Sequence, residues 1–308
     1  MSDKLLSHSV NPEGLQNTID NAKSRILSQE NVPIIDMRMQ LELLDQLTQF
    51  DFGKFLLQHQ GLNGYWTHYA LTHPWVGKKT EKNNRNEPIS ILEKFMLEKA
   101  PVVVATQERF QIFLNENQKS VKNNAVLATI PCGMMGELLY LNYDNINNIK
   151  LIGIDYDKNT LNDAKSLAEK QKLSQYTQFI EKNAWDLCIQ NEFDLISSNG
   201  LNIYEPDDQK VTQLYKAFYD ALKPGGKLVT SFLTMSPQMS DQFEWNMSEI
   251  NQDDLLLQKT IFADIIQSKW QCYRSTQKTQ QQLESRGFKD IHFIYDRAKI
   301  FPTVVAVK

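Results

Sequence analysis

The chain has 308 residues, 33 basic and 37 acidic side chains, a net charge of −4 and an isoelectric point near 5.8. That balance offers no basic footprint for nucleic acid as the main partner, and no run approaches the ~18 apolar residues of a membrane span. Cys132, Cys188 and Cys272 show no CxxC or disulfide-like spacing, and the first residues hold no apolar core long enough for a signal peptide, so the expected compartment is a reducing cytoplasm.

Residues 1–120 read as a helical N-terminal cap region. Asn11-Pro12 opens one predicted helix, with Leu15, Ile19, Ala22 and Ile26 at helical spacing. Pro33 opens another, with Met37, Leu41, Leu44, Leu47 and Phe55 along one side. The segment Gly61–Trp75 is dense in aromatics and holds His68 and His73, without metal-ligand spacing. It reads first as an aromatic plug joining the helical region to the sheet, and second as a lid lining the acceptor pocket, with His68 or His73 able to take a proton. Residues 78–87 are polar throughout and read as a mobile loop. Ile89, Leu92, Phe95 and Met96 resume the helical period, and Thr106 is the expected N-cap of a helix carrying Phe110, Phe113 and Leu114. Arg109 on that helix reads as a solvated arginine, with contact to the cofactor or to an acceptor carboxylate as the functional alternative.

From residue 121 the rhythm changes to strand–helix alternation. Strands are expected at 126–130, 150–155, 177–180, 193–198 and 227–232, with helices at 160–172 and 207–222 between them. Such alternation implies βαβ units and a mostly parallel, doubly wound sheet. Pro224-Gly-Gly226 marks a turn before the fifth strand. Two further strands, 291–295 and 303–307, are separated by about seven residues, too few for a helical crossover, so they are antiparallel neighbours. Residues 234–271 are longer than a plain connection and carry two apolar helical patterns, a predicted insertion. Insertions at this edge of an α/β sheet lie over the ligand crevice, which points to an enclosed acceptor pocket.

The densest signal lies at the first strand. Ala125–Ile130 is an apolar run, Gly133 and Gly136 form a Gly-x-x-Gly turn, and a helical pattern follows. About twenty residues later a second apolar run ends in Asp155, the spacing that a nucleotide ribose requires of its acid. An adenosine-containing cofactor is the expected ligand. Taken alone, Asp155 is also a possible helix N-cap, and Cys132 reads better as a small buried filler than as a nucleophile.

These motifs, in this order, resemble the class I S-adenosylmethionine-dependent methyltransferases, over roughly residues 121–308. That family has a seven-stranded Rossmann-like sheet whose last strand is antiparallel. Thr129-Ile-Pro-Cys-Gly-Met-Met-Gly136 matches its glycine turn, with Thr129 in place of an acid and Pro131 in place of the first glycine. The resemblance implies cofactor contacts from Ile130, Cys132, Gly133, Met134 and Gly136. It gives Asp155 to the ribose, Tyr156 to the adenine face, Asn183 and Ala184 to the adenine edge, and Asn199 to the methionine end. The loop at 199–208 is not the Asn/Asp-Pro-Pro-aromatic loop of base methyltransferases. Tyr204 and Glu205 there are candidate acceptor groups, or simply acids at a helix N-terminus. The implied activity is methyl transfer from S-adenosylmethionine to a small-molecule or lipid-like acceptor. The alternatives are a non-catalytic adenosyl-binding scaffold and, less in keeping with Pro131 and the closing hairpin, an NAD-dependent oxidoreductase.

Overall fold

Seven strands, β1 (Val126–Thr129), β2 (Lys150–Asp155), β3 (Thr177–Glu181), β4 (Phe193–Ser198), β5 (Leu222–Ser231), β6 (Lys289–Ile294) and β7 (Thr303–Val307), form one sheet in the order β3-β2-β1-β4-β5-β7-β6. The computed structural model describes residues 6–9, 12–28, 35–270 and 272–308; the expected helix openers Asn11 and Pro33 lie outside them. Strands β1 to β5 pair in parallel, and β7 pairs antiparallel with both β5 and β6. The parallel strands are covered on both faces, which is why β2 reads as a near-continuous apolar run with only Lys150 exposed. Strand order reverses between β1 and β4, so the carboxyl ends of these two strands flank the crevice where α/β sheets bind ligands.

Among the described residues the helices are α1 (Leu15–Leu27), α2 (Met37–Leu47), α3 (Asp51–His59), α4 (Gly64–Thr72), α5 (Gly77–Thr80), α6 (Ile91–Glu98), α7 (Pro101–Gln118), α8 (Gly136–Leu139), α9 (Lys158–Lys170), α10 (Asp208–Ala221), α11 (Gln252–Lys259) and α12 (Thr276–Glu284). None is long and apolar enough to cross a membrane. The chain divides into two compact units. One takes the described residues up to Gln107 together with Asn246–Trp270, and the other Glu108–Trp245 with Gln271–Lys308, less the undescribed residue 271.

In the first unit, α1, α2, α3, α4 and α6 converge on a core that includes Ile26, Leu44, Leu47, Leu56, Trp66 and Met96. Ile261, Phe262, Ile265 and Ile266, from the π-helical turn that continues α11, join that core. The expected single run from Met37 to Phe55 is two helices, broken at Thr48–Phe50, and the first is capped by Asp36, whose side chain accepts from the Met39 amide. The polar segment 78–87 is tied down rather than loose: Asn83 Oδ1 accepts the Arg85 and Glu87 amides, and Arg85 forks onto Asp51. Helix α7 begins five residues before Thr106, at Pro101, where the missing proline N–H is an orphan anyway. Thr106 is therefore inside the helix, its hydroxyl donating to the Val102 carbonyl at 2.7 Å.

In the second unit, α10 lays Val211, Leu214, Tyr215 and Phe218 on one face of the sheet, against Ile196, Leu228 and Val304. Asp207 caps that helix by accepting the Gln209 and Lys210 amides. The Pro224-Gly-Gly226 turn interrupts pairing within β5, where register shifts between Phe193 and Leu195, and Gly225 takes φ +76.

Candidate functional site

Strand β1 ends at Thr129 and passes through a cis Ile130–Pro131 bond into a tight turn. The Cys132 amide donates to the Ile154 carbonyl (2.8 Å) and the Met135 amide to the Cys132 carbonyl (2.6 Å), which docks the turn onto β2. Gly133 (φ 49) and Met135 (φ 59) are left-handed. Methionine is strained there, a cost of order 1 kcal/mol that burial of its whole side chain offsets. Gly136 opens α8 where a Cβ would lie 3.3 Å from the Phe110 ring.

The acid at the tip of β2 is bound into this turn. Asp155 Oδ2 accepts the Gly133 amide and Oδ1 accepts the Asp157 amide, both at 3.0 Å. The Asp155 carbonyl accepts the Lys182 amide at 2.9 Å, bringing the end of β3 beside it. The N-cap of α9 is Asp157, whose side chain accepts from Asn159, so Asp155 has no capping duty. Burial pushes the Asp155 carboxyl up to about 6, while the amides that donate to it oppose the shift.

A second buried carboxylate stands nearby, one that sequence reasoning missed. Glu137, in the first turn of α8, accepts from the Thr129 and Ser197 hydroxyls, each at 2.9 Å to Oε2. The Asn199 side chain adds a further hydrogen bond, and Asn117 Nδ2 donates to the Glu137 carbonyl (3.2 Å) and to Ser197 Oγ (3.0 Å). Burial raises the Glu137 carboxyl above its ordinary range, and these bonds, with the Arg109 charge, pull it back. The acid absent from position 129 is thus supplied to the same strand end by the following helix. Its one sequence signal is a lone glutamate between Gly136 and Leu138-Leu139.

The family model of a methyltransferase domain matches residues 122–287, more than half of the chain. The chain belongs to this methyltransferase family. A crystal structure described as a possible exported protein from Bordetella parapertussis is 42% identical, covers 96% of this chain and 95% of its own, and superposes with a TM-score of 0.89. An S-adenosylmethionine-dependent methyltransferase from Mesorhizobium loti is 18% identical over 65% of this chain and 98% of its own, with a TM-score of 0.48. A methyltransferase of the same cofactor class from Aquifex aeolicus is 14% identical over 70% of this chain and 96% of its own, at 0.46. Among curated proteins none matches.

Membership implies S-adenosylmethionine as methyl donor, and the chemistry of the site fits it. Asp155 is a buried carboxylate of the kind a ribose calls for, and Asn199 Oδ1 is a buried acceptor without a partner among the described residues, next to Glu137. The other residues predicted to touch the cofactor divide by environment. Ile130 is fully buried and its amide donates to the Ser197 carbonyl at 2.9 Å, joining β1 to β4. Cys132 packs against Gly153, where a Cβ would lie 3.3 Å from its sulfur, and burial drives the thiol well up, the environment of a small buried filler. Met134 is half-buried and Tyr156 exposed. Asn183 Oδ1 accepts the Trp185 amide at 2.9 Å, closing a turn around the buried Ala184.

The acceptor candidates fall in different units. Tyr204 is in the turn after β4, its hydroxyl pushed up to about 12 by burial and held back by Arg109. His68 is on α4 of the helical unit, its carbonyl accepting from Thr72. His73 is buried, with Nε2 3.1 Å from Glu98, and burial holds its pKa below the usual imidazole value. Glu205 belongs to the helix entry: it accepts the Asp207 amide at 3.0 Å. Arg109 is no solvated arginine, being only 4% exposed.

Proposed function

We propose that the protein transfers a methyl group from S-adenosylmethionine to a small-molecule acceptor, soluble or lipid-like, in an enclosed pocket and in the cytoplasm. One observation carries the cofactor reading: a single hydrogen-bonded junction joins the glycine turn (Gly133) to the β2 acid (Asp155) and, through its carbonyl, to the β3 end (Lys182). When bound, the cofactor supplies an electrophilic methyl on a sulfonium. The protein then has to bind, orient and exclude water. In this reading Asp155 receives the ribose hydroxyls, Tyr156 covers the adenine, and Ala184 with Asn183 lines its edge. Glu137 and Asn199 Oδ1 face the methionine ammonium. Enclosure is supported by the buried polar groups at the carboxyl ends of β4 and β5, and the cytoplasm by three free cysteines.

Thermal unfolding with S-adenosylmethionine, S-adenosylhomocysteine or NAD, each added separately, tests this. A ligand at ~100 times its Kd adds about 2.7 kcal/mol, or roughly 5–10 °C for a domain of about 170 residues. The expected outcome is a shift with both adenosyl ligands and none with NAD. Folded protein that responds to neither adenosyl ligand contradicts the proposal.

A further inference from the structure

Arg109 is a buried cation with a single side-chain hydrogen bond among the described residues. It carries five N–H donors. The structure shows one hydrogen bond from it, Nη1 to Ser231 Oγ at 3.2 Å, and its Nε is buried with no partner among the described residues. The Phe301 ring covers one face of the guanidinium at 4.4 Å, and Gly200 approaches so closely that a Cβ there would lie 3.3 Å from Nη1. Glu137, Tyr204 and Asp296 are its charged and titratable neighbours. Asp296 is engaged elsewhere, accepting the Ile300 amide at 3.1 Å and the Phe301 amide at 2.7 Å. Burial lowers the guanidinium pKa to about 10, so these neighbours do not make up for the water it has lost.

The place of this cation in the sheet says what it faces. Gly133, Asp155 and Asn183 are on the β1-β2-β3 side of the switch point. Arg109 instead touches the end of β5 (Ser231), the turn after β4 (Gly200) and the entry to β7 (Phe301), on the opposite side. If the cofactor is held by the first side, the second is where a methyl acceptor would meet it. We infer that Arg109 is the recognition group for a carboxylate on the methyl acceptor, with Ser231 holding one arm of the guanidinium and Nε buried and unpaired among the described residues. A carboxylate suits this place better than a phosphate. One cation balances a monoanion, and the Glu137 and Asp296 carboxyls nearby disfavour a second negative charge. The inference rests on the S-adenosylmethionine reading and narrows its acceptor to a carboxylic acid.

Calorimetric titration of the full chain, saturated with S-adenosylhomocysteine, tests it with benzoate and octanoate against benzamide and octanamide. At least one acid is expected to bind ten-fold or more tightly than its amide, a comparison that needs no variant. R109Q should abolish the acid-over-amide preference, while R109K, which keeps the charge beside Glu137, should keep part of it and hold S-adenosylhomocysteine within about three-fold of the wild-type Kd. Acids binding no better than their amides would overturn the inference. So would R109Q losing affinity for S-adenosylhomocysteine but not for 5′-methylthioadenosine, which lacks the amino-acid portion, because the carboxylate would then be the cofactor's own. Wild-type protein that binds no S-adenosylhomocysteine would instead fail the underlying reading, a result visible before any acid is added.

Discussion

Asp155 has a fixed geometry and an unsettled charge, and that combination makes its role measurable. Asparagine keeps its shape but removes the ionised acceptor. Hydrogen bonds to a charged group contribute about 1.5–3 kcal/mol, so D155N is expected to raise the Kd for S-adenosylhomocysteine roughly 10- to 100-fold by calorimetry. Acid has the same effect on the wild type. The folded carboxyl titrates near 6, above an unfolded value of about 3.9, so protonation favours the empty folded state as pH falls. Hydroxyls donating to the ionised form pull the other way. Affinity should therefore be full above pH 7 and fall by up to ten-fold per pH unit below about 6; a flat profile from pH 8 to 5.5 would remove Asp155 from the ribose. Glu137 moves in the same direction, because burial raises it too. E137Q should weaken S-adenosylhomocysteine by about ten-fold or more and leave 5′-methylthioadenosine, which has no ammonium, unchanged. Asp155 was legible in the sequence because strand-tip position follows from the apolar run before it. Glu137 was not, since its place at the strand end is fixed by hydroxyls at Thr129 and Ser197, the second of these 60 residues away. Arg109 was misread for the same reason: the helical period places it on a helix, but only tertiary packing shows that Phe301 and Gly200 cover it.

At the scale of elements, most strands were legible, because parallel strands are short apolar runs between turn signals. But β5 begins at Leu222, five residues before the expected start and through the Pro224-Gly-Gly226 turn, and β6 begins two residues early at Lys289. Phe193–Ser198 and Thr303–Val307 coincide with expectation, and so does the antiparallel pairing of the last two strands. Helix entries were less legible. Thr106 has the chemistry of a cap, yet Pro101 starts the helix, and Asp157 rather than a neighbouring acid caps α9. A cap is decided by which side chain meets a free amide, and several candidates sit within a turn of each other. The glycine within β2 had no assigned role in the sequence, and the structure gives it one. A Cβ on Gly153 would lie 3.0 Å from the Phe179 ring and 3.3 Å from Cys132 Sγ, so this glycine is what lets the turn after β1 lie against β2. G153A is expected to destabilise by about 1–3 kcal/mol through overpacking and to lower Tm by several degrees. Adding C132A should restore part of that loss in a double-mutant cycle; independent, additive effects would mean that the turn does not press on β2.

At the scale of the whole chain, each unit carries its own apolar core, and sequence order does not respect the division. The segment 246–270 follows β5 but buries Ile261, Phe262, Ile265 and Ile266 with Leu44 and Met96. An amphipathic pattern shows that a helix has a partner without saying which, so the helical character of this insertion was readable and its destination was not. The same holds for the aromatic segment at 61–75, which read either as a plug or as a lid. Trp66 stacks on Phe52 at 5.5 Å and meets Tyr69 edge-on at 5.3 Å, both inside the helical unit's core. Side chains so committed cannot reorient for a ligand without opening that core, at a cost of several kcal/mol for each large aromatic exposed. Hydrogen exchange of the full chain, with and without S-adenosylhomocysteine, separates the two roles. Slowed exchange is expected at 130–137, 155–157 and 182–184, where amides belong to the junction around Asp155. Residues 61–75 are expected to exchange at the same rate in both states, as a plug does. Slowing there, in step with the glycine turn, would make the segment a lid and bring His68 back as a candidate proton acceptor.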